Sequence, residues 1–370
     1  MKFELDSGIL LDGIQTVTRA LANKAPSPVL ECVKVEAEYD SGAVRLTCYD
    51  GSLGITWTAR ANVIDEGCAL IPGKMFGEIM RKLPGGEVVI ESNGKSAAIR
   101  CQRSRSSLAV VAGEYPEIAE VKKGTEVLLP QVVLKSMIGH TAFAIGTDDA
   151  RLILTGGLME IRPDAMFMVG LDGFRLAMQK TEGMCGILAG KDSIRCVIPG
   201  KVLGEVSRLL DNSEENCLIS IADGRMSFRF GGTTMVCTLL AGDYVDFGKI
   251  IPQDFKTEVQ VLKKDLMEAI DRANLIAREG KNNLVKMRIS GDAMQVSSNA
   301  EIGNVLEEME INHTGDDLDI AFNSKYILEA IKNCDGDTVN MRLNSQTAPC
   351  VFVPEEGDEW KYLVLPVRTM

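Results

Sequence analysis

The chain of 370 residues is long enough for two or three domains, each with its own core. Its 45% hydrophobic, 25% charged and 5% aromatic residues exclude a disordered or collagen-like chain, and no apolar run is long enough to span a membrane. A formal net charge of −12 excludes a uniformly basic nucleic-acid surface and leaves only a segregated one. Met1–Asp6 has no apolar leader region, so the cytoplasm is the expected compartment.

Ser7 is the expected N-cap of a helix over 8–23, where Ile9, Leu10, Ile14, Val17 and Leu21 recur at helical spacing. Alternation then predicts strands at 30–37, 43–49 and 54–59, with an Asp50-Gly51 turn between the last two. A helix at 73–83 is followed by strands at 87–90, 97–101 and 107–110. The pattern starts again with a strand at 126–129, a helix near 130–145 and strands at 152–154 and 159–161, then a run at 166–169 leading into 171–177. A helix at 200–210, a strand at 258–261 and helices at 263–278 and 323–333 complete it.

Ile71-Pro72-Gly73-Lys74-Met75-Phe76-Gly77-Glu78 returns as Ile198-Pro199-Gly200-Lys201-Val202-Leu203-Gly204-Glu205. A fainter copy is Phe322-Asn323-Ser324-Lys325-Tyr326-Ile327-Leu328-Glu329. The lysine and glutamate keep register and the unit recurs about every 125 residues, which marks internal repetition. Asp50-Gly51 has counterparts at Asp172-Gly173 and, degraded, at Asn299-Ala300. The chain therefore reads as three copies of one domain, 1–123, 124–252 and 253–370, with boundaries near 122–126 and 250–257. Each copy is two halves reading strand, helix, then several strands. The six helices together carry +6, leaving −18 for the rest, so the charge is segregated. Lysine on solvated helix faces explains this as well as a nucleic-acid partner does.

Ten cysteines without a C-x-x-C pair, several in apolar runs, read as reduced core thiols. His140 and His313 lack Cys or His partners at metal spacing, so no metal is expected. No Walker A, dinucleotide-binding glycine pattern or H-E-x-x-H is present. Asp148-Asp149, Asp172 with Arg175 and the acidic loop 355–359 are the candidates for catalysis. Asp172-Gly173 is explained by turn chemistry and the loop by solvation, so no enzyme and no cofactor are expected.

The repeats, the run Gly170-Leu171-Asp172-Gly173-Phe174-Arg175-Leu176-Ala177 and the segment Leu363-Val364-Leu365-Pro366-Val367-Arg368 resemble the bacterial DNA polymerase III beta subunit, the sliding-clamp family. The resemblance runs the length of the chain. It implies an α+β fold of three clamp domains, and a head-to-tail homodimer closing a six-domain ring around double-stranded DNA, with helices inside and sheets outside. The implied function is a non-catalytic processivity factor that tethers a replicative polymerase subunit. The clamp loader and other clamp-motif proteins are further implied partners.

For DNA, the candidates are Lys24, which the resemblance matches to a basic position of DNA contact, and Lys74, Arg81, Lys82, Lys201, Arg208, Lys264, Arg272 and Lys332, each equally readable as a solvated surface cation. A thin cationic lining suits sliding, because firm phosphate contacts would pin the protein and make it strongly salt-dependent. The resemblance also implies a peptide cleft built from Leu154, Thr155, Gly156, Leu171, Gly173, Phe174, Arg175, Leu176, Val245, Lys249, Ile250, Asn323, Leu365, Pro366, Val367 and Arg368. The apolar tail beginning at Leu363 agrees, since an exposed apolar patch marks a partner site; a final strand packed on its own domain is the plain alternative. The dimer seam would join Arg103, Arg105, Ser106 and Leu108 of one copy to Leu275 and Ile276 of the other. Phe174 stands where the family often has histidine, Val245 where it has proline and Lys249 where it has arginine, while Met370 lies two residues past Arg368. Ser106 replaces an aromatic, which predicts a seam that leans on charge. A protein-binding scaffold without DNA would share the cleft but lack the cationic lining.

Overall fold

The structure is a computed structural model and describes residues 1–24, 27–122, 124–183, 186–187, 193–280 and 282–368. Cys185, Met370 and Lys123 of the first repeat boundary lie outside the described residues. The described helices are α1 (Ser7–Val17), α2 (Gly73–Lys82), α3 (Gln131–Ala142), α4 (Gly200–Leu209), α5 (Lys263–Ala277) and α6 (Ser324–Asn333). They accompany four antiparallel sheets of five, nine, nine and four strands. No helix is long and apolar enough to cross a membrane.

The chain forms two compact units. The first holds 1–132, 186–190 and 205–239, and the second holds 133–185, 191–204 and 240–370. These units do not follow the sequence repeats, because each nine-stranded sheet runs from one repeat into the next. In the first unit, strand Leu53–Arg60 pairs with Thr233–Thr238, setting Met235 opposite Ile55. In the second, strand Arg175–Glu182 pairs with Trp360–Val364, setting Leu176 opposite Leu363.

In the first unit α1 buries Leu10, Ile14 and Val17, and α2 buries Phe76 and Met80. Gly13 lets α1 lie against the sheet, since a Cβ there would stand 2.5 Å from the Trp57 ring. In the second unit Leu266, Ile270 and Ala273 of α5 share a core with Ile327 and Ile331 of α6, Phe322 and Tyr362. Eight of the nine described cysteines are buried and only Cys68 is exposed. Burial pushes the thiols of Cys217, Cys237 and Cys334 up to about 12, so they pack as small apolar groups.

Four local expectations are corrected. Asp6, not Ser7, caps α1, because its extended backbone lets Oδ1 accept from the amides of Gly8 and Ile9 at 2.8 and 3.2 Å. Ser7 is buried as the first helical residue, its hydroxyl accepting from Gly86 N at 3.1 Å. Helix α1 ends at Val17 rather than 23, tightening into a 3-10 turn at Thr18–Ala20 before Leu21 extends. The strand expected at 152–154 is part of a 3-10 segment, Asp149–Thr155, started by Asp148, whose Oδ1 accepts from Ala150 N at 3.0 Å. The turn expected at Asn299-Ala300 falls at 301–302, because both residues stay in the ladder opposite Asn304 and Gly303.

One hydrogen bond recurs in all three repeats. Val111 N donates to Leu70 O at 2.9 Å, Leu240 N to Val197 O at 2.9 Å, and Val367 N to Ala321 O at 2.8 Å. Each acceptor directly precedes the repeated pair Ile71-Pro72, Ile198-Pro199 or Phe322-Asn323. The segment 365–368 is thus the third copy of a strap laid along a sheet edge.

Candidate functional site

The expected peptide cleft lies wholly within the second unit. Strand Ala165–Leu171 turns through Asp172-Gly173-Phe174 into the strand starting at Arg175. Asp172 Oδ1 accepts from the amides of Phe174 and Arg175 at 2.8 and 3.0 Å. Gly173 sits at φ +92°, a backbone conformation that favours glycine. The turn sends adjacent side chains opposite ways: Phe174 is 52% exposed and Arg175 only 8%.

Arg175 is the buried node of the site. Its Nε donates to Asp172 Oδ2 at 3.1 Å, its Nη1 donates to the Glu329 carboxylate, and its guanidinium lies 4.7 Å from the centre of the Tyr326 ring. Three charge-dependent contacts fix α6 against the turn. Phe174 stacks on the other partner, with ring centres of Phe174 and Tyr326 5.9 Å apart and planes 17° from parallel. Burial raises the Tyr326 hydroxyl above its usual range, with the Asp172 charge adding to the effect.

Leu154, Leu171 and Leu176 form the floor in one apolar cluster with Tyr244 and Phe247. Tyr244 donates to the carbonyls of Gly156 and Val169 at 3.4 and 3.3 Å. Leu365 N donates to Phe174 O at 2.9 Å, bringing the strap to the turn. Phe174, Val245, Ile250 and Leu365 are exposed apolar side chains beside this floor. Thr155 closes the 3-10 segment through Leu152 O at 2.7 Å, and Asn323 caps α6 by accepting from Lys325 N at 3.0 Å. Lys249 reaches outward to Asp246 at 3.0 Å and holds that carboxyl below its usual range. Arg368 is exposed at the end of the strap.

Sequence reasoning missed Leu152, Tyr244, Phe247, Tyr326 and Glu329. Leu152 is 59% exposed, which its reading as a strand residue concealed. Tyr326 and Glu329 lie in the third copy of the repeated helix, whose periodicity gave no sign that it faces the Asp172 turn. Asp172 serves the turn and Asp148 a helical cap, so neither forms a catalytic pair.

All nine DNA candidates are exposed, and Lys24 is held at φ 55°. They differ in pairing. Arg208 contacts Glu205 at 2.5 Å and Arg272 contacts Glu307 at 2.7 Å, whereas Lys24, Lys74, Arg81, Lys82, Lys264 and Lys332 carry no ion pair among the described residues. Of the seam candidates, Arg103 and Arg105 are exposed and Ser106 and Leu108 half-buried on or beside strand Ser104–Ala109, an outer strand of the five-stranded sheet. Leu275 is exposed and Ile276 half-buried on α5, which packs against strand Gly303–Glu310 at the edge of the four-stranded sheet.

Three family models, the N-terminal, central and C-terminal domains of the DNA polymerase III beta subunit, match residues 1–119, 128–246 and 248–368. The chain belongs to the DNA polymerase III beta subunit family. The beta sliding clamp of Staphylococcus epidermidis is 30% identical, with both chains fully covered. The crystal structure of the DNA polymerase sliding clamp of Bacillus subtilis superposes with a TM-score of 0.93 at 31% identity, again over all of both chains. That of the beta subunit from Streptococcus pyogenes gives 0.93 at 26% identity. The fold is the three-domain α+β sliding-clamp fold, and the family is one of non-catalytic processivity factors.

Replacing Arg175 with alanine leaves two carboxylates facing an apolar site and is expected to cost about 2–4 kcal/mol. Urea unfolding followed through Trp360 emission in a Trp57→Phe background measures it. Arg175→Lys should recover less than half of the loss, because an ammonium cannot span both carboxylates and stack on Tyr326. A lysine variant as stable as the parent would contradict this role.

Proposed function

We propose that two copies of this chain close head to tail into a ring around duplex DNA and present the Phe174 cleft to replication proteins. The clamp has no chemistry of its own; tethering a polymerase raises its effective concentration at the primer end. The observation that carries this reading is the match of three clamp domains in order along the whole chain. We divide the repeats at 123/124 and 252/253 and place the protein in the cytoplasm. Its partners are the replicative polymerase subunit, the clamp loader and other proteins with an apolar clamp-binding segment.

The sheet edges support the dimer. The edges ending in 67–72, 194–199 and 318–323 each accept a hydrogen bond from a strap amide at one carbonyl, whereas no strap reaches 104–109 or 303–310 among the described residues. An edge of unpaired backbone groups invites another strand. Arg103 and Arg105 flank one edge, and Glu301, Glu307, Glu308 and Glu310 the other, so the two are complementary in charge. Ile302 and Leu306 beside the acidic edge are exposed, as is Leu275. Beside Ser106, a hollow of about 240 Å³ lined by Ile79 and Leu83 offers such side chains a seat. For DNA, the unpaired lysines of the helices supply a dispersed cationic lining that attracts the backbone without fixed register.

The ring is tested on a nicked circular plasmid. Retained protein should be shed when a restriction enzyme linearises the circle. Equal retention on linear DNA would contradict encirclement, and no retention on either would leave only a protein-binding scaffold. Because the seam is charge-complementary, its dissociation constant should rise about tenfold between ~0.1 and ~1 M salt. Sedimentation equilibrium measures this, and a salt-independent constant would contradict the charged seam.

A further inference from the structure

The equivalent strap hydrogen bonds set the second and third repeats in register, and the sheet face beneath them differs in character. In the second, strand Gly156–Ile161 lies between Ile194–Pro199 and Ala165–Leu171, with Leu158 opposite Val197 on one side and Val169 on the other. Their outward side chains form an apolar bed, and the chain following the strap packs Leu240, Tyr244 and Phe247 onto it. In the third, Lys286 stands where Leu158 does, opposite Ala321 and Ser297. Arg288 follows, opposite Asp319 and Gln295, where the second repeat has Glu160 opposite Arg195 and Phe167.

A leucine and a paired glutamate have thus given way to two cations, and among the described residues this face is open. It forms a groove of about 580 Å³ bounded by the strap at Val367 and Arg368. Lys286, Arg288 and Arg368 face it against the single carboxylate of Asp319, which stands 3.7 Å from Arg288 and is mostly exposed. Gln295, Ser297, Gln346 and Thr347 supply further hydrogen-bonding groups. An excess of cations concentrated in one groove stands out on a chain whose net charge is −12.

We propose that this groove is a second docking site, for an extended acidic segment of a partner protein that occupies the Phe174 cleft at the same time. The inference rests on the cleft being a peptide site and specifies which partners it holds best: those with several carboxylates flanking the apolar segment. The course of the segment is the one that residues 240–247 take over the second repeat, with carboxylates in place of Tyr244 and Phe247 and cations in place of the apolar bed. The strap joins the two sites. Leu365 bonds to Phe174 at the cleft, and two residues later Val367 bonds to Ala321 at the groove. A flank on the apolar segment therefore reaches the cations at high effective concentration. A peptide is favoured over nucleic acid because the groove is continuous, through the strap, with the Phe174 cleft.

The test uses the full chain and fluorescence anisotropy with three synthetic probes. They are a pentapeptide rich in Leu and Phe, and the same peptide carrying a tract of glutamates, through a short Gly-Ser linker, at its N- or C-terminal end. One of the two extended probes should bind about tenfold tighter than the core peptide at ~0.05 M salt and lose that gain at ~0.5 M. The double variant Lys286→Glu, Arg288→Glu should bind the core peptide as the parent does, lose the gain from glutamates, and show a gain with a lysine tract. Binding of the core peptide also reports that the variant is folded. Core binding with no gain from either extension, or a gain that the double variant keeps, overturns the groove. If the core peptide itself fails to bind the parent chain, the cleft reading fails, and the groove proposal with it. A short DNA duplex whose binding falls in the double variant, with no gain from glutamates, would assign the cations to nucleic acid and equally overturn the proposal.

Discussion

Antiparallel pairing that continues from one sequence repeat into the next is the constraint on which the rest of this molecule depends. Strand 53–60 finds its partner in 233–238 and strand 175–182 in 360–364, so neither pair can form within one repeat. Buried backbone groups must be paired, and these junctions pair them across nearly two hundred residues of chain. The consequence is two compact units where the sequence has three copies. A second consequence is functional. Arg175 is the first residue of a junction strand, so the Asp172 turn, the strap and α6 all meet where the second and third repeats share a sheet.

The cleft shows why an apolar surface can remain open there. Phe174, Leu365 and Val245 are exposed, yet the backbone beneath them is held by Asp172 and Arg175 and by the Leu365–Phe174 hydrogen bond. A cation that satisfies two carboxylates and stacks on an aromatic ring fixes the rim without filling the floor. The side chains left at the mouth are then preorganised, which lowers the ordering cost for the proposed occupant of the cleft.

Much of this was legible in the sequence because the informative signals were local. The repeated Ile-Pro-Gly-Lys helix starts carry their own start chemistry, and Asp172-Gly173 announces a turn that the φ of Gly173 bears out. The apolar tail read as an exposed patch is mostly a final strand: Leu363 and Val364 are buried in it, and only Leu365 beyond it is exposed. The misses were tertiary. Leu152-Ile153-Leu154 is too short for its period to separate a strand from a 3-10 turn, and the deciding contact is the Asp148 cap. Ser7 and Asp6 are both good caps, and only the packing of Ser7 against Gly86 selects Asp6. Pairing between repeats left no local trace, since each strand shows only its own alternation. Tyr326 and Glu329 entered the cleft through that pairing, unseen.

The proposal that organises all of this is that two copies of the chain close into a ring. Small-angle X-ray scattering of the purified protein over a concentration series tests it most directly, because forward intensity gives mass and the distance distribution exposes a hollow centre. The proposed ring predicts about twice the chain mass and a distribution depleted at the centre, before any DNA is added. A compact monomer or a solid dimer at every concentration would leave the repeats and the cleft intact and contradict the ring.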